Sequence, residues 1–145
     1  MTSNTCASSL HSCALHDHLC LIYESFEEQC AAVVPFIRIG LARGEKCLYV
    51  ADDNEAEAVL SAMRSAGIDV DAARASGALA VCGPQQSYLE QGYCDPARMM
   101  EFLKRHIREA QRQGCSGLRI SGEMTWALGH GAGTDRLIEY ENSLN

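Results

Sequence analysis

Apolar residues fall along this chain in short continuous runs, separated by longer stretches in which they recur every three or four positions. The short runs are "HLCLIY" (His18 to Tyr23), "KCLYVA" (Lys46 to Ala51), "ALAVCG" (Ala78 to Gly83) and "GLRISG" (Gly117 to Gly122). Runs of this length, bounded by polar residues or glycine, predict strands buried on both faces. After the first run, Val33, Val34, Ile37 and Leu41 repeat at helical spacing. Ser25, with Glu28 three residues on, forms a capping-box pattern that opens this helix, and Gly44 closes it. Pro35 lies inside it and is expected to bend or restart it. A second helix, capped by Asn54 with Glu57 in its first turn, should run to Gly67, and a short one follows over "DAARAS". Asp95 followed by Pro96 predicts the start of a long helix that ends near Gly114. Thr134 would cap a last helix through "DRLIEYENSL". Strands that alternate with helices predict an α/β fold: a doubly wound, mostly parallel sheet with right-handed crossovers.

A chain of 145 residues suits one domain, and one of this size buries about 70% of its unfolded surface. Residues 1–15 are rich in Ser, Thr and Cys, contain His11, and predict a loose N-terminal arm, with residues 16–145 as the domain proper. Because the chain stops directly after a helix, it reads as one domain of a longer protein. The net charge of −7 argues against a direct nucleic-acid partner or an anionic membrane, both of which carry phosphate. No apolar run approaches a membrane span, and the first residues lack a basic start and an apolar stretch, so a cytoplasmic location is expected. The eight cysteines then read as thiols or ligands, and the chain has no C-x-x-C pair.

In such sheets ligands bind beyond the carboxyl ends of the strands. Those ends are "YESFEE", "ADDNEAE", "CGPQQSY" and "SGEMTW". A phosphate loop needs glycines for close backbone approach and a lysine for charge. "ESFEEQ" has neither, and its three glutamates would repel a triphosphate while suiting the helix dipole. ATP is therefore not expected as a ligand.

The segments "HLCLIYESFEEQ", "RGEKCLYVADDN", "AGIDVDAARASGALAV" and "LRISGEMTWAL", in that order, resemble the MEDS domain, the methanogen/methylotroph sensory domain. The resemblance covers about residues 17–145. It implies a RecA/KaiC-like fold that has lost the phosphate loop. It also implies a sensory module for small molecules in a bacterial or archaeal signalling or transcription-control pathway, and not an enzyme. By position, His18, Tyr23 and Glu24 match the family's opening motif, Asp52 and Asp53 the end of its second strand, and Glu123 the "GE" after the last.

The ligand-binding residues expected from these positions are His18, Tyr23, Glu24, Asp52, Glu123 and Trp126, with Tyr88 as a further aromatic wall. An acidic and aromatic pocket of this kind suits a small, weakly polar or cationic ligand. A second reading starts from "HSCALHDHLC", where Cys13, His16, His18 and Cys20 could ligate a transition metal or heme in a metal- or redox-responsive sensor. A remnant ATPase is a third reading. Cys30, Cys47, Cys82 and Cys115 read as packing residues, whereas Cys94, just before a helix, is the candidate reactive thiol. His106 falls on an apolar stripe and reads as a satisfied edge residue. No Ser-His-Asp order or paired-acid spacing suggests catalysis. The expected partners are the ligand and a signalling domain, protein or second copy that receives the output.

Overall fold

The computed structural model describes residues 10–51, 56–87, 94–125 and 136–144. Helix α1, Phe26–Ala42, follows its sequence signals closely. The Ser25 hydroxyl accepts from the Glu28 amide at 3.2 Å, and the Glu28 carboxylate accepts from the Glu24 amide at 2.9 Å. Free N–H groups at the helix start are thus satisfied by the chain itself. Pro35 sits inside α1 without ending it, and Gly44, at φ 70°, makes the turn that follows.

Strand β1 is Lys46–Val50, and all five of its residues are buried. Helices α2 (Ala56–Ser65) and α3 (Val70–Ala75) lead to strand β2, Leu79–Cys82. A single 3-10 turn, Pro84–Gln86, follows. Helix α4, Pro96–Arg112, is opened by the Asp95 carboxylate, which accepts from the Ala97 amide at 3.0 Å. Strand β3 is Leu118–Gly122, and helix α5 is Leu137–Ser143. Arg136 flanks the start of α5; the expected cap, Thr134, lies outside the described residues.

The sheet has the order β2-β1-β3, and both pairings are parallel. Leu48 sits opposite Ala80 on one side and Ile120 on the other. Side chains alternate along β1. Cys47, Tyr49 and Ala51 pack with Val33, Ile37, Val59 and Met63 of the first two helices. Leu48 and Val50 pack with Cys94, Met99 and Tyr140 on the side of α4 and α5. Helices therefore cover both faces of a parallel sheet, the expected doubly wound arrangement.

One expected strand is not formed. Residues 18–23 run without a ladder partner, and Ile22 is 90% exposed and Leu19 55%. An apolar run shows what a strand would bury, but a strand also needs an edge that accepts its backbone groups. The described end of the arm, by contrast, is docked. Leu10 and Cys13 are buried, and the Arg43 guanidinium donates to the carbonyl oxygens of Cys13 at 2.8 Å and His11 at 2.7 Å.

The amino end of the sheet is closed by buried charge. Arg119, the second residue of β3, donates through Nε to Glu45 Oε2 at 2.5 Å and through Nη2 to Oε1 at 3.2 Å. Its guanidinium lies 4.5 Å from the centre of the Phe36 ring. Lys46 Nζ donates to the Gly77 carbonyl at 3.0 Å and to Gln113 Oε1 at 3.1 Å. Burial pushes the Cys47 thiol up to about 12 and the Cys82 thiol up to about 11, so neither forms a thiolate near neutrality.

Tyr49 poses a cost inside β1. It is fully buried, and its hydroxyl has no hydrogen-bond partner among the described residues. Removing a buried unsatisfied group recovers its desolvation penalty. Tyr49→Phe is expected to raise stability by about 1 kcal/mol in urea unfolding. A loss of stability instead would show that the hydroxyl is satisfied.

Candidate functional site

With the amino end sealed, the carboxyl ends of the strands are where a ligand can reach the sheet. Glu123 directly follows β3, and it is 6% exposed. Its amide donates to the Val50 carbonyl at 2.9 Å, which ties it to the end of β1 as well. Its Oε1 accepts from Gln29 Nε2 at 2.7 Å. Gln29 lies in the first turns of α1, and its own amide bonds to the Ser25 carbonyl at 3.1 Å. The capped start of α1 thus delivers a buried amide to a buried carboxylate at the centre of the sheet's exit. Two residues on, the Thr125 hydroxyl is buried without a partner among the described residues. A carboxylate accepts and a primary amide both donates and accepts, which is the chemistry that a small polar group would need.

Gln29 is the residue that sequence reading missed. It precedes Val33 and Ile37 on the apolar stripe of α1. A polar side chain on a core-facing stripe must find a partner, and that signal was available.

The other expected site residues divide. Glu24 is exposed at the rim of α1, and Tyr23 beside it is half-buried. His18 does not meet Glu24 or Glu123; its Nε2 lies 3.2 Å from Glu141 Oε2 on α5. Trp126, Asp52 and Tyr88 lie outside the described residues. The four residues read as metal ligands are not gathered: Cys13 is buried, Cys20 is exposed, and His18 is engaged with Glu141. His16 has a left-handed backbone, at φ 76°. Among the described residues no group of three or more His, Cys, Asp or Glu side chains is arranged to hold a metal ion.

Cys94 also departs from expectation. It is fully buried, with its sulfur 3.4 Å from that of Met99, so the helix start it precedes does not present it to solvent. His106 packs edge-on to Phe102 at 4.6 Å, and burial lowers its pKa, so the ring is held neutral as part of the α4 surface. Among the described residues no helix is long and apolar enough to cross a membrane.

Among known proteins, the chain is similar to the transcriptional repressor DcmR of Methylorubrum extorquens (strain DSM 6343 / CIP 106787 / DM4). The two are 29% identical over 132 residues, which is 91% of this chain and 47% of the repressor. The chain thus spans about half the length of that relative. No solved structure gives a significant match. The family model described as MEthanogen/methylotroph, DcmR Sensory domain, matches residues 17–145, and with nearly the whole chain covered this protein belongs to the MEDS family.

Proposed function

We propose that this MEDS domain binds a small molecule at the carboxyl ends of its strands and reports it to a transcription-control partner, without chemical turnover. The observation that carries this reading is the buried Glu123–Gln29 pair at the exit of β3. Burying a carboxyl group where ligands reach a parallel sheet costs free energy, which the bond to Gln29 offsets, so the pair is a fixed polar anchor in that position. The unpartnered Thr125 hydroxyl supports a ligand that fills the remaining polar position. Tyr23 and Glu24 form the rim; Trp126 and Asp52, expected beside them from sequence, lie outside the described residues. The ligand is small and weakly polar or cationic, with a donor for Glu123. Similarity to a transcriptional repressor supports the downstream role.

Native mass spectrometry of the protein purified from its source tests this. A small molecule is expected to co-purify with the wild type and to be released on denaturation. Glu123→Ala should lose it while keeping the wild-type far-UV circular dichroism spectrum. Retention of the same molecule by that folded variant would place the site elsewhere.

A further inference from the structure

Residues 16–24 run beside β3. Leu15 rests at the amino end of that strand, where a Cβ on Gly117 would lie 2.7 Å from Leu15 Cδ2. The start of α1 stands at its carboxyl end, held by the bond between Gln29 and Glu123. Between these two points His18 meets Glu141 of α5. Helix α5 packs on the Leu48 and Val50 face of the sheet, whereas α1 packs on the Cys47 and Tyr49 face. The chain from His18 to α1 therefore crosses from one face to the other. With both ends tied to β3, it does so around the outer edge of that strand and in the same direction.

That edge is open. The Lys46 amide donates to the Gly117 carbonyl and the Glu123 amide to the Val50 carbonyl, both at 2.9 Å. In a parallel ladder of this register, residues 117, 119, 121 and 123 bond to β1, and Leu118, Ile120 and Gly122 turn their N–H and C=O groups outward. Among the described residues no hydrogen bond reaches those outward groups, and none reaches the backbone of residues 18–22. Leu19, Leu21 and Ile22 meanwhile expose apolar side chains. An unpaired edge and an unpaired apolar run thus lie side by side, and each supplies what the other lacks. The lengths agree, because six residues of strand span about 20 Å, as does β3 with its flanking residues. The hand agrees too. From such a strand through α1 to β1, the chain would step across the sheet toward β2 with its helix on the Cys47 face, as it does from β1 through α2 and α3 to β2.

We propose that residues 18–23 are a strap that closes on the edge of β3 as a fourth parallel strand when the site at the carboxyl ends is filled. This inference rests on the binding reading given above. Tyr23 and Glu24 end the strap and form the rim of that site, so a molecule held between the rim and Glu123 draws the end of the strap to the end of β3. Pairing then runs back toward His18. A bound molecule shifts such an equilibrium only as far as it favours the closed form, and its contacts with the rim supply that difference. Closure withdraws Leu19, Leu21 and Ile22 from the surface, which gives binding a consequence outside the site.

Hydrogen exchange followed by mass spectrometry reads both sides of the new ladder. The comparison is between protein as purified from its source and the same protein refolded after its bound molecule has been released. With the molecule present, peptides spanning residues 19–23 and 118–122 are expected to exchange on the order of tenfold more slowly. Maleimide labelling of Cys20, which is exposed in the open form, is expected to slow in parallel. Adding back the released small-molecule fraction should restore both effects. Exchange and labelling that are the same with and without a co-purified molecule overturn the strap and leave the binding reading standing. Protection that persists in the stripped protein also overturns it, since the strand is then permanent. If no molecule co-purifies, the strap falls together with the binding reading.

Discussion

Arg119→Met is expected to cost about 3–5 kcal/mol of unfolding free energy, because it leaves Glu45 buried without its counter-charge. Glu45 is 9% exposed and Arg119 7%, so water reaches neither well enough to replace the bond. Arg43 does not take over. It approaches Glu45 only to 4.0 Å, and it is committed to the carbonyl oxygens of His11 and Cys13. The surroundings are rigid as well. A Cβ at Gly40 would lie 2.6 Å from Cys47 Sγ and 2.7 Å from Arg119 Cδ, so the arginine stem already fills the space beside α1. Replacing both partners should cost far less than replacing either. Glu45→Leu with Arg119→Met removes two desolvated charges together, and such replacements are often neutral or stabilising. Urea unfolding of the two single variants and the double variant decides the point. A single-variant cost below about 1 kcal/mol would mean that the pair behaves as a surface salt bridge.

The second large effect belongs to Ile37. Its side chain is fully buried between α1 and the sheet, in the cluster that includes Val33, Tyr49 and Met63. Ile37→Ala removes three carbon atoms from a packed interior and leaves a cavity that helix and strand cannot close. The expected cost is about 2–5 kcal/mol, or a fall in melting temperature on the order of 10 °C for a domain of this size. Thermal unfolding followed by circular dichroism measures it. A fall of only a degree or two would indicate that α1 shifts to fill the gap.

These two positions differ in how far sequence reveals them. Ile37 belongs to a helical apolar stripe, so its burial could be read before any coordinates. The same logic located β1, β2 and β3, the cap at Ser25 and the opening of α4 at Asp95. The Glu45–Arg119 bond could not be read in that way. Its partners are 74 residues apart, and each alone resembles an ordinary surface charge. Local pattern carries no information on which distant charge a strand will bring alongside. The site shows the same division. Glu123 was legible from its place after a strand, whereas its partner Gln29, 94 residues away, was not singled out. His18 and the run that follows it failed for a related reason. Apolarity identified a strand, yet whether that run pairs with a strand edge depends on tertiary competition that the run itself does not encode.

The strand order also sets a timetable for synthesis. β1 sits between β2 and β3, and the bond that locks it to β3 spans 74 residues. At about 5–20 residues per second, roughly 4–15 s separate the emergence of Glu45 from that of Arg119. Throughout that interval "KCLYV" is a finished apolar segment with one backbone edge still waiting for its neighbour. The middle strand is thus made first and completed last: its second edge stays open in the nascent chain until Leu118–Gly122 has emerged.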